Sequence, residues 1–394
     1  MDRKGDVSSV NTSAVMKQIW LSGRTSRAEL ARTTDLHAAT ISRIVNRLVD
    51  IGLVEFGDEQ NSSSRGGRRP TDVSIDPDFG LIIGLEIQTD MYHAVGTTVS
   101  GDLLFSRSGE LPPDESDIMA SFRAVISEIQ DDINAQSAPL LGVALGLSGL
   151  VDPYSGIIIS SNPLNIPDPV EFREEAEAFL NVPLLLENDA NCGCWGELAA
   201  AGASRAENML YVLGEFREPR AARREGHTIA VGMGFVLDGV VRHGSHYSAG
   251  EFQSILWQEG NSSQFSLSDK EILRSASDPA IREKVLRELG KHVGLAVNLL
   301  DLTSVVIGGD IVRYRDTIQP VFAEEVQRNW SYPNTVECEV QFSSMGEYAV
   351  AYGAAAMFVE HLFAVPTESR GTPSQYLGIH LLDHLSRRVN GASE

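Results

Sequence analysis

The sequence predicts an α/β protein in two parts, a small head over residues 1–77 and a two-lobed body over residues 78–394. Three observations predict it. Charge is partitioned: residues 1–75 hold 11 Lys/Arg and 9 Asp/Glu, net +2, whereas residues 76–394 hold 21 and 45, net −24. Helical periodicity fills most of the head, while strands alternate with helices through the body. The strand and helix pattern of the first half of the body then returns in outline in the second.

Composition excludes several classes. A chain of 394 residues with 42% apolar and 22% charged side chains is ordinary for a globular protein and long enough for two or three domains. No apolar run reaches the ~20 residues of a membrane span. The N-terminus lacks the apolar stretch and cleavage site of a secretory signal. Three cysteines, Cys192, Cys194 and Cys338, cannot form a disulfide framework, so a cytoplasmic location is expected. An acidic body repels phosphate, which confines any contact with nucleic acid to the head.

In the head, Val10 to Leu21 predicts a first helix that Gly23 ends. Ser26 and Glu29 form a capping-box pattern ahead of a short helix, Ala28 to Thr33. A turn at Asp35 leads to a third helix, roughly His37 to Asp50. Its apolar face is Ile41, Ile44, Val45 and Leu48; its polar face carries His37, Thr40, Ser42, Arg43 and Arg47. Leu53 to Phe56 reads as a strand, 57–67 as a polar tip, and Arg68 to Ile75 as the returning strand. Helix, helix-turn-helix and basic hairpin together make a winged helix-turn-helix. Such a third helix fits the major groove and offers donors to base edges, while Arg65, Arg68 and Arg69 of the wing reach phosphates or a neighbouring groove. A small bundle with a solvated charged face is the plainer alternative. The boundary with the body is expected near Pro77.

In the body, Leu81–Ile87, Tyr92–Val99 and Leu103–Arg107 predict an antiparallel meander. A helix over Asp117–Ile133, a strand over Leu140–Leu147 and a short strand at 156–160 follow. Next come a helix over Pro169–Leu180, a strand over Val182–Leu186 and a helix over Gly193–Ala201. The second lobe opens with strands at 209–213, 228–237 and 239–242. It continues with a helix over Ile281–Leu300, a strand at Ser304–Ile307, and helices over Pro320–Asn329 and Gly353–Phe363. The segment Glu215 to Glu225 reads as a solvated charged loop, or else as a partner contact. The tail from Pro366 reads as a linker and a last amphipathic helix packed on the body. Two such lobes enclose a cleft into which strand C-termini point, the usual place for a ligand.

The winged head is followed in order by Leu145-Gly-Leu-Ser-Gly-Leu-Val-Asp152, Glu187-Asn-Asp-Ala-Asn191, Val231-Gly-Met-Gly234, Ala249-Gly-Glu251 and Ile307-Gly-Gly309. In these motifs the chain resembles the ROK family (repressors, open reading frames and sugar kinases) over nearly its whole length. The wing, Arg65-Gly-Gly-Arg-Arg-Pro70, resembles that of the repressor branch, such as the xylose and N-acetylglucosamine repressors. The resemblance implies an actin-like (ribonuclease H-like), sugar-kinase-type body with a sugar between its lobes. It also implies that Asp189 stands where family kinases keep their general base. In a repressor that carboxylate only bonds the sugar. Read from the residues, Asp189 either caps the following helix or faces the ligand, and both can hold.

Three departures from the family pattern matter. The phosphate-binding Asp-x-Gly-Gly-Thr is replaced by Glu86-Ile-Gln-Thr-Asp90, which removes two glycines and adds negative charge. Loss of catalysis is therefore expected, with no catalytic residue and no cofactor. The Gly232-Met-Gly234 and Gly308-Gly309 pairs read mainly as packing turns. Ser254 replaces a sugar-binding and zinc-ligating His, and residues 255–275 contain neither Cys nor His, so no zinc site is expected. The expected Pro-Asn-Leu is rearranged to Asn162-Pro-Leu-Asn165, which leaves open which Asn meets a ligand, or whether the segment is only a turn. Candidate effector contacts are Asn162, Asn165, Asn188, Asp189 and Glu251. Cys192 and Cys194 read as buried thiols. His227, His243, His246 and His292 lack ligand spacings and are expected in loops or on the surface.

The expected function is a sugar-responsive regulator, a repressor, that binds a pseudo-palindromic site in double-stranded DNA as a homodimer or tetramer and responds to a sugar or sugar phosphate. A sugar kinase with a fused DNA-binding head is one alternative. A DNA-bound scaffold controlled by a protein partner is another.

Overall fold

The computed structural model describes residues 3–57, 72–111, 117–201, 207–216 and 229–365. The wing tip with Arg65, Arg68 and Arg69, most of the 215–225 segment and the helix expected in the tail lie outside these residues.

The head is α1 (Arg3–Ser22), β1 (Arg24–Ser26), α2 (Arg27–Thr34), α3 (Ala38–Asp50), β2 (Val54–Phe56) and β3 (Asp72–Ile75). β1 was not legible as a strand; it pairs antiparallel with β3, which also pairs with β2. Ser26 caps α2, accepting the Glu29 N–H at 3.2 Å. The other half of the expected capping box does not form, because the Glu29 carboxylate bonds Arg32 instead. Ile41, Ile44, Val45 and Leu48 of α3 are buried, as their spacing predicts. The reverse face carries the expected polar residues.

The body opens on the meander β4 (Leu81–Ile87), β5 (Met91–Thr98) and β6 (Leu103–Glu110). The first helix breaks at Ile129 into α4 (Ile118–Glu128) and α5 (Gln130–Asn134). Then come β7 (Leu140–Leu147) and a small antiparallel sheet of β8 (Leu150–Asp152), β9 (Ile157–Ser160) and β10 (Val170–Glu171). α6 (Phe172–Leu180), β11 (Leu184–Asn188) and α7 (Asp189–Ala201) complete the first lobe. α7 begins four residues before the expected start, so the Glu-Asn-Asp motif spans a strand end and a helix start.

The second lobe holds β12 (Met209–Phe216), β13 (Ile229–Leu237), β14 (Val240–Val241), α8 (Asp269–Ile272) and α9 (Pro279–Leu300). It ends with β15 (Ser304–Gly308), α10 (Arg315–Arg328), β16 (Glu339–Phe342) and α11 (Ala349–Leu362). α10 starts five residues upstream of Pro320, which sits inside the helix. Asp278 caps α9 through the Ala280 and Ile281 N–H groups. The expected repeat is present: the sheets run β11-β7-β4-β5-β6 and β14-β13-β12-β15-β16. Each is an antiparallel meander whose first strand also pairs with a parallel strand, which pairs in turn with a second one.

α7 and α11 lie between the two sheets, and glycines permit the approach. A Cβ on Gly84 of β4 would sit 2.0 Å from the Ala351 carbonyl oxygen, and one on Gly353 would sit 1.8 Å from that of Cys192. Side chains of α7 divide between the lobes: the Cys192 sulfur lies over Gly146 of β7, and the Cys194 sulfur over Gly234 of β13. The Cys-Gly-Cys sequence is thus a packing motif, and both thiols are buried. Burial pushes both up, Cys192 well above the ordinary thiol range.

The head does not stand apart. Val15, Met16 and Ile19 of α1 belong to the same buried cluster as Val359, Leu362 and Phe363. Trp20 stacks on Phe363 at 5.3 Å between ring centroids, and Lys17 pairs with Glu360 at 3.7 Å. Among the described residues no helix is long and apolar enough to cross a membrane.

Gly353→Ala must push α11 off the α7 backbone. It is expected to cost about 1–3 kcal/mol or more, as overpacking does, read as a lower denaturation midpoint at unchanged m-value.

Candidate functional site

The cleft is built from strand ends. β7 ends at Ser148-Gly149, β11 at Asn188-Asp189, and the facing wall is β13 with the 243–251 segment. Ser148 Oγ donates to Asp189 Oδ2 at 2.5 Å, and the Ala190 N–H reaches Asp189 Oδ1 at 2.8 Å. Asn188, rather than Asp189, caps α7: its Oδ1 accepts the Asn191 N–H at 3.2 Å while its Nδ2 donates to the Gly149 carbonyl at 3.1 Å. Asn188 is therefore committed to holding the two strand ends together. Asp189 occupies the first helical position, where the helix dipole favours its charge.

Across the cleft, Glu251 is held by backbone contacts. Gly232 bridges to it, and the Met233 N–H bonds the Gly250 carbonyl at 3.0 Å. Gly250 has φ +94°, and a Cβ there would lie 1.8 Å from the Met233 oxygen. A Cβ added to Gly232 would stand 3.4 Å from that of Ala190 and 3.7 Å from Asp189 Oδ1, so the two walls are close. Glu251 is exposed to the cleft; partial desolvation by the surrounding protein and the charge of Asp189 raise its carboxyl above the ordinary range. Paired acceptors of this kind suit vicinal hydroxyl groups.

Asn162 and Asn165 lie exposed on the Ser161–Ile166 turn, with Asn165 at φ +56°. That turn is tied to the cleft through Ser161, whose hydroxyl donates to the Ser148 carbonyl at 2.6 Å, and through Thr89, which bonds the Pro163 carbonyl at 3.1 Å. Asn162 and Asn165 thus stand on a turn that adjoins the Asp189 site.

The end of β4 carries Glu86-Ile-Gln-Thr-Asp90. Gln88 Nε2 donates to Glu86 at 2.8 Å in its own lobe and to Glu215 at 3.0 Å in the other. A side-chain bridge between carboxylates fills the place where open glycine backbone would meet an anion. The loop after Glu251 is equally self-contained. Gln264 bonds both the N–H and the carbonyl of Val231, and Asn261 Nδ2 lies within reach of the carbonyls of Phe265, Ser266 and Leu267. Ser254, buried, accepts the Leu256 N–H. These amides and hydroxyls do not fit a tetrahedral zinc ion. Among the described residues no group of three or more His, Cys, Asp or Glu could hold a metal.

Sequence reasoning missed a second polar cluster, built around His243. His243 stands in a loop, as expected, but its side chain is largely buried. It reaches across to the buried Glu187 with Nε2 2.7 Å from Oε2, the two side chains being 12% and 1% exposed. Glu187 also accepts from the Asn188 N–H, Asn191 Nδ2 and Trp195 Nε1. The residues are 56 positions apart, and nothing in local spacing brings them together. His292 stands on α9, inside the helix expected over Ile281–Leu300; it accepts the Ile255 N–H at 3.0 Å and packs edge-on against Phe252. His246 is exposed, as expected, and His227 lies outside the described residues.

On the head, His37, Arg43 and Arg47 are exposed and Thr40 and Ser42 half-buried on the outer side of α3. Asn46 accepts from Arg27 at 2.7 Å, which ties α3 to α2.

With this geometry in place, comparison with known proteins is informative. Residues 108–260 match the model of the ROK family. A putative xylose repressor of Caldicellulosiruptor sp. (strain Rt8B.4) is 26% identical over 247 residues; the match covers 62% of this chain and 58% of that protein. The xylose repressor of Bacillus subtilis (strain 168) is 22% identical over 396 residues, covering 92% and 98%. Among solved structures, a ROK family transcriptional regulator, homologue of the E. coli Mlc protein, superposes with a TM-score of 0.75 at 18% identity over 96% of this chain and all of that one. A ROK glucokinase from Streptomyces griseus, in complex with glucose and AMPPNP, reaches 0.54 at 17% identity over 71% of this chain and 99% of its own. The body therefore has the fold that ROK regulators and ROK sugar kinases share.

Charge in the Glu187–His243 pair sets a pH signature. Burial opposes both charges, yet mutual attraction and the bonds from Asn188 and Asn191 hold Glu187 below the usual carboxylate range. Against the same burial, Glu187 holds His243 above its usual value of 6.5. The pair's stabilisation is lost as pH falls through the lowered Glu187 value and as it rises through the raised His243 value. His361, pushed down to about 4 by burial, separately loses stability as pH falls below 6.5. The melting-temperature gap between wild type and His243→Asn is therefore expected to be widest between the ordinary values of the two groups, 4.5 and 6.5, and to shrink as pH rises above 6.5. A gap independent of pH in calorimetry would remove the charge from this account.

Proposed function

We propose that the chain is a sugar-responsive, DNA-binding transcriptional repressor with a non-catalytic kinase-like body. One observation carries this reading: a helix-turn-helix head is built onto a two-lobed body whose cleft keeps Asp189 and Glu251 but closes the phosphate seat with Gln88 and Glu215. The relatives named xylose repressor and the regulator of similar fold support it, the latter covering 96% of this chain against 71% for the sugar-kinase structure.

In this reading α3 lies in the major groove, with His37, Thr40, Ser42, Arg43 and Arg47 toward bases and phosphates, and Arg65, Arg68 and Arg69 of the wing beside it. The chain acts as a cytoplasmic homodimer or tetramer on a pseudo-palindromic operator. Asp189 and Glu251 take paired sugar hydroxyls, and Asn162 and Asn165 border the ligand. A kinase needs an anion-accepting backbone at the β4 turn; Glu86, Asp90 and Glu215 make that region acidic instead.

Because α1 shares the body's apolar cluster, the head is tested by point substitution in the full chain rather than by deletion. Selection of genomic fragments by the wild-type protein should enrich a palindromic site. Arg43→Ala is expected to weaken binding to that site by about 1–3 kcal/mol and relax its sequence preference; unchanged affinity and preference would remove Arg43 from the reading set.

Asp189→Asn is expected to leave sugar-free DNA affinity intact and abolish the response to sugar, measured by fluorescence anisotropy across a panel of pentoses and hexoses. With ATP, the same panel should give phosphorylation at background level. Turnover that depends on Asp189 would make the chain a kinase with a DNA-binding head.

A further inference from the structure

Asp189 and Glu187 are two residues apart at the junction of β11 and α7, and His243 and Glu251 belong to one short segment of the second lobe. That segment is closed on itself by the Ala249 N–H, which bonds the His243 carbonyl at 3.1 Å. The two segments therefore face each other twice. One rung, Asp189 opposite Glu251, borders the cleft. The other, Glu187 to His243, is a buried ion pair at 2.7 Å.

The second rung continues inward. Glu187 Oε2 accepts from Trp195 Nε1 at 3.4 Å on α7. The Trp195 ring packs against His361 of α11 at 5.5 Å between centroids. The residues on either side of His361 hold the head: Glu360 pairs with Lys17, and Phe363 stacks on Trp20. From His243 in the second lobe a series of hydrogen-bonded or packed side chains thus reaches His361, and the backbone of α11 carries it on to Glu360 and Phe363, which hold α1.

We propose that Glu187 and His243 are positioning residues that set the spacing between Asp189 and Glu251 and couple it, through Trp195 and α11, to the seat of the head helix α1. The proposal rests on the repressor reading for its biological meaning. A ligand that draws Glu251 toward Asp189 moves the segment that carries His243. It can shift the head only by binding the two arrangements with different affinity, and a rigid rung shared by both is what makes the arrangements differ. Neither residue is required to touch the ligand.

The test uses hydrogen–deuterium exchange on the full chain without DNA or sugar, so failure of the repressor reading leaves its outcomes untouched. Wild type is compared with His243→Ala and with His243→Gln, whose amide can still donate to Glu187. Coupling predicts that His243→Ala raises exchange on the order of tenfold in the last turn of α11 (357–363) and in α1 as well as around 243–251. The central strands β4 and β7 should stay unchanged, and His243→Gln should restore most of the protection. Should His243→Ala not fold, Glu187→Gln removes the charge while keeping the side chain's size, and the same segments are read. Faster exchange confined to 240–251, or a uniform rise over the whole chain, would overturn the proposal, since a merely structural contact behaves in one of those two ways.

Discussion

The fold depends on how closely α7 and α11 approach each other between two sheets. Helix axes usually stay 8–10 Å apart because side chains intervene. Here Gly353 presents bare backbone to the Cys192 carbonyl, Gly196 presents bare backbone to Gly353, and Gly84 lets α11 lie directly on β4. Small residues continue the seam, with Ala351, Ala354 and Ala355 buried on α11. A two-lobed body is ordinarily free to hinge. This layer gives both lobes one shared spacer, so movement of either sheet is felt by the same helix pair. The cost is intolerance: a methyl group at Gly353 or Gly84 has nowhere to go without moving a helix.

From that layer follow the positions of the chemical groups. α7 starts where β11 ends, which places Asp189 at the first helical position, bonded by Ser148 and facing the second lobe. The closeness of β13 to α7, permitted by Gly232 and Gly234, sets Glu251 opposite. Electrostatics then separates what the cleft can hold. Two acceptors facing each other suit a neutral polyol. The carboxylates of Glu86 and Glu215, bridged by Gln88, oppose a triphosphate at the β4 turn. One backbone topology thus holds two unlike regions, a pair of facing acceptors at Asp189 and Glu251 and a bridged acidic group at the end of β4.

Much of this was legible from local pattern. The α3 core positions, the limits of β4 and β7 and the repeated meander follow from periodicity. Gly232 and Gly234 pack closely, as expected, but inside β13 rather than in a turn. The Asp189–Glu251 pairing was approached through motif order. What was not legible depends on long-range contact. β1 is only three residues and exists because β3 is there to pair with it. α7 begins before the small-residue run that announced it, because Asn188 supplies the cap that Asp189 seemed suited to give. His243 looked solvent-exposed in a Gly- and Ser-rich stretch. Its buried partner lies 56 residues away in another lobe, and a lone histidine carries no signal of that. The expectation of a charge-separated head was sound in composition and silent on packing, since the residues that join α1 to α11 are ordinary apolar ones.

That union of α1 with α11 changes what the charge partition means. A near-neutral head on an acidic body could be a module on a flexible linker, with the body's negative charge serving only to keep it off DNA. Instead Trp20, Lys17 and the apolar side of α1 engage the C-terminal end of α11, the helix whose middle touches α7. The head is therefore held in register with the cleft by packing, which is short-ranged and insensitive to salt. Repulsion between the body and phosphate acts over a Debye length, about 8–10 Å at ordinary ionic strength. The two effects act at different ranges: the charge of the body repels phosphate, and the α1–α11 seam fixes where the outer face of α3 points. Any signal from the cleft has to act on the second of these, because the charge of the body does not change when a neutral ligand binds.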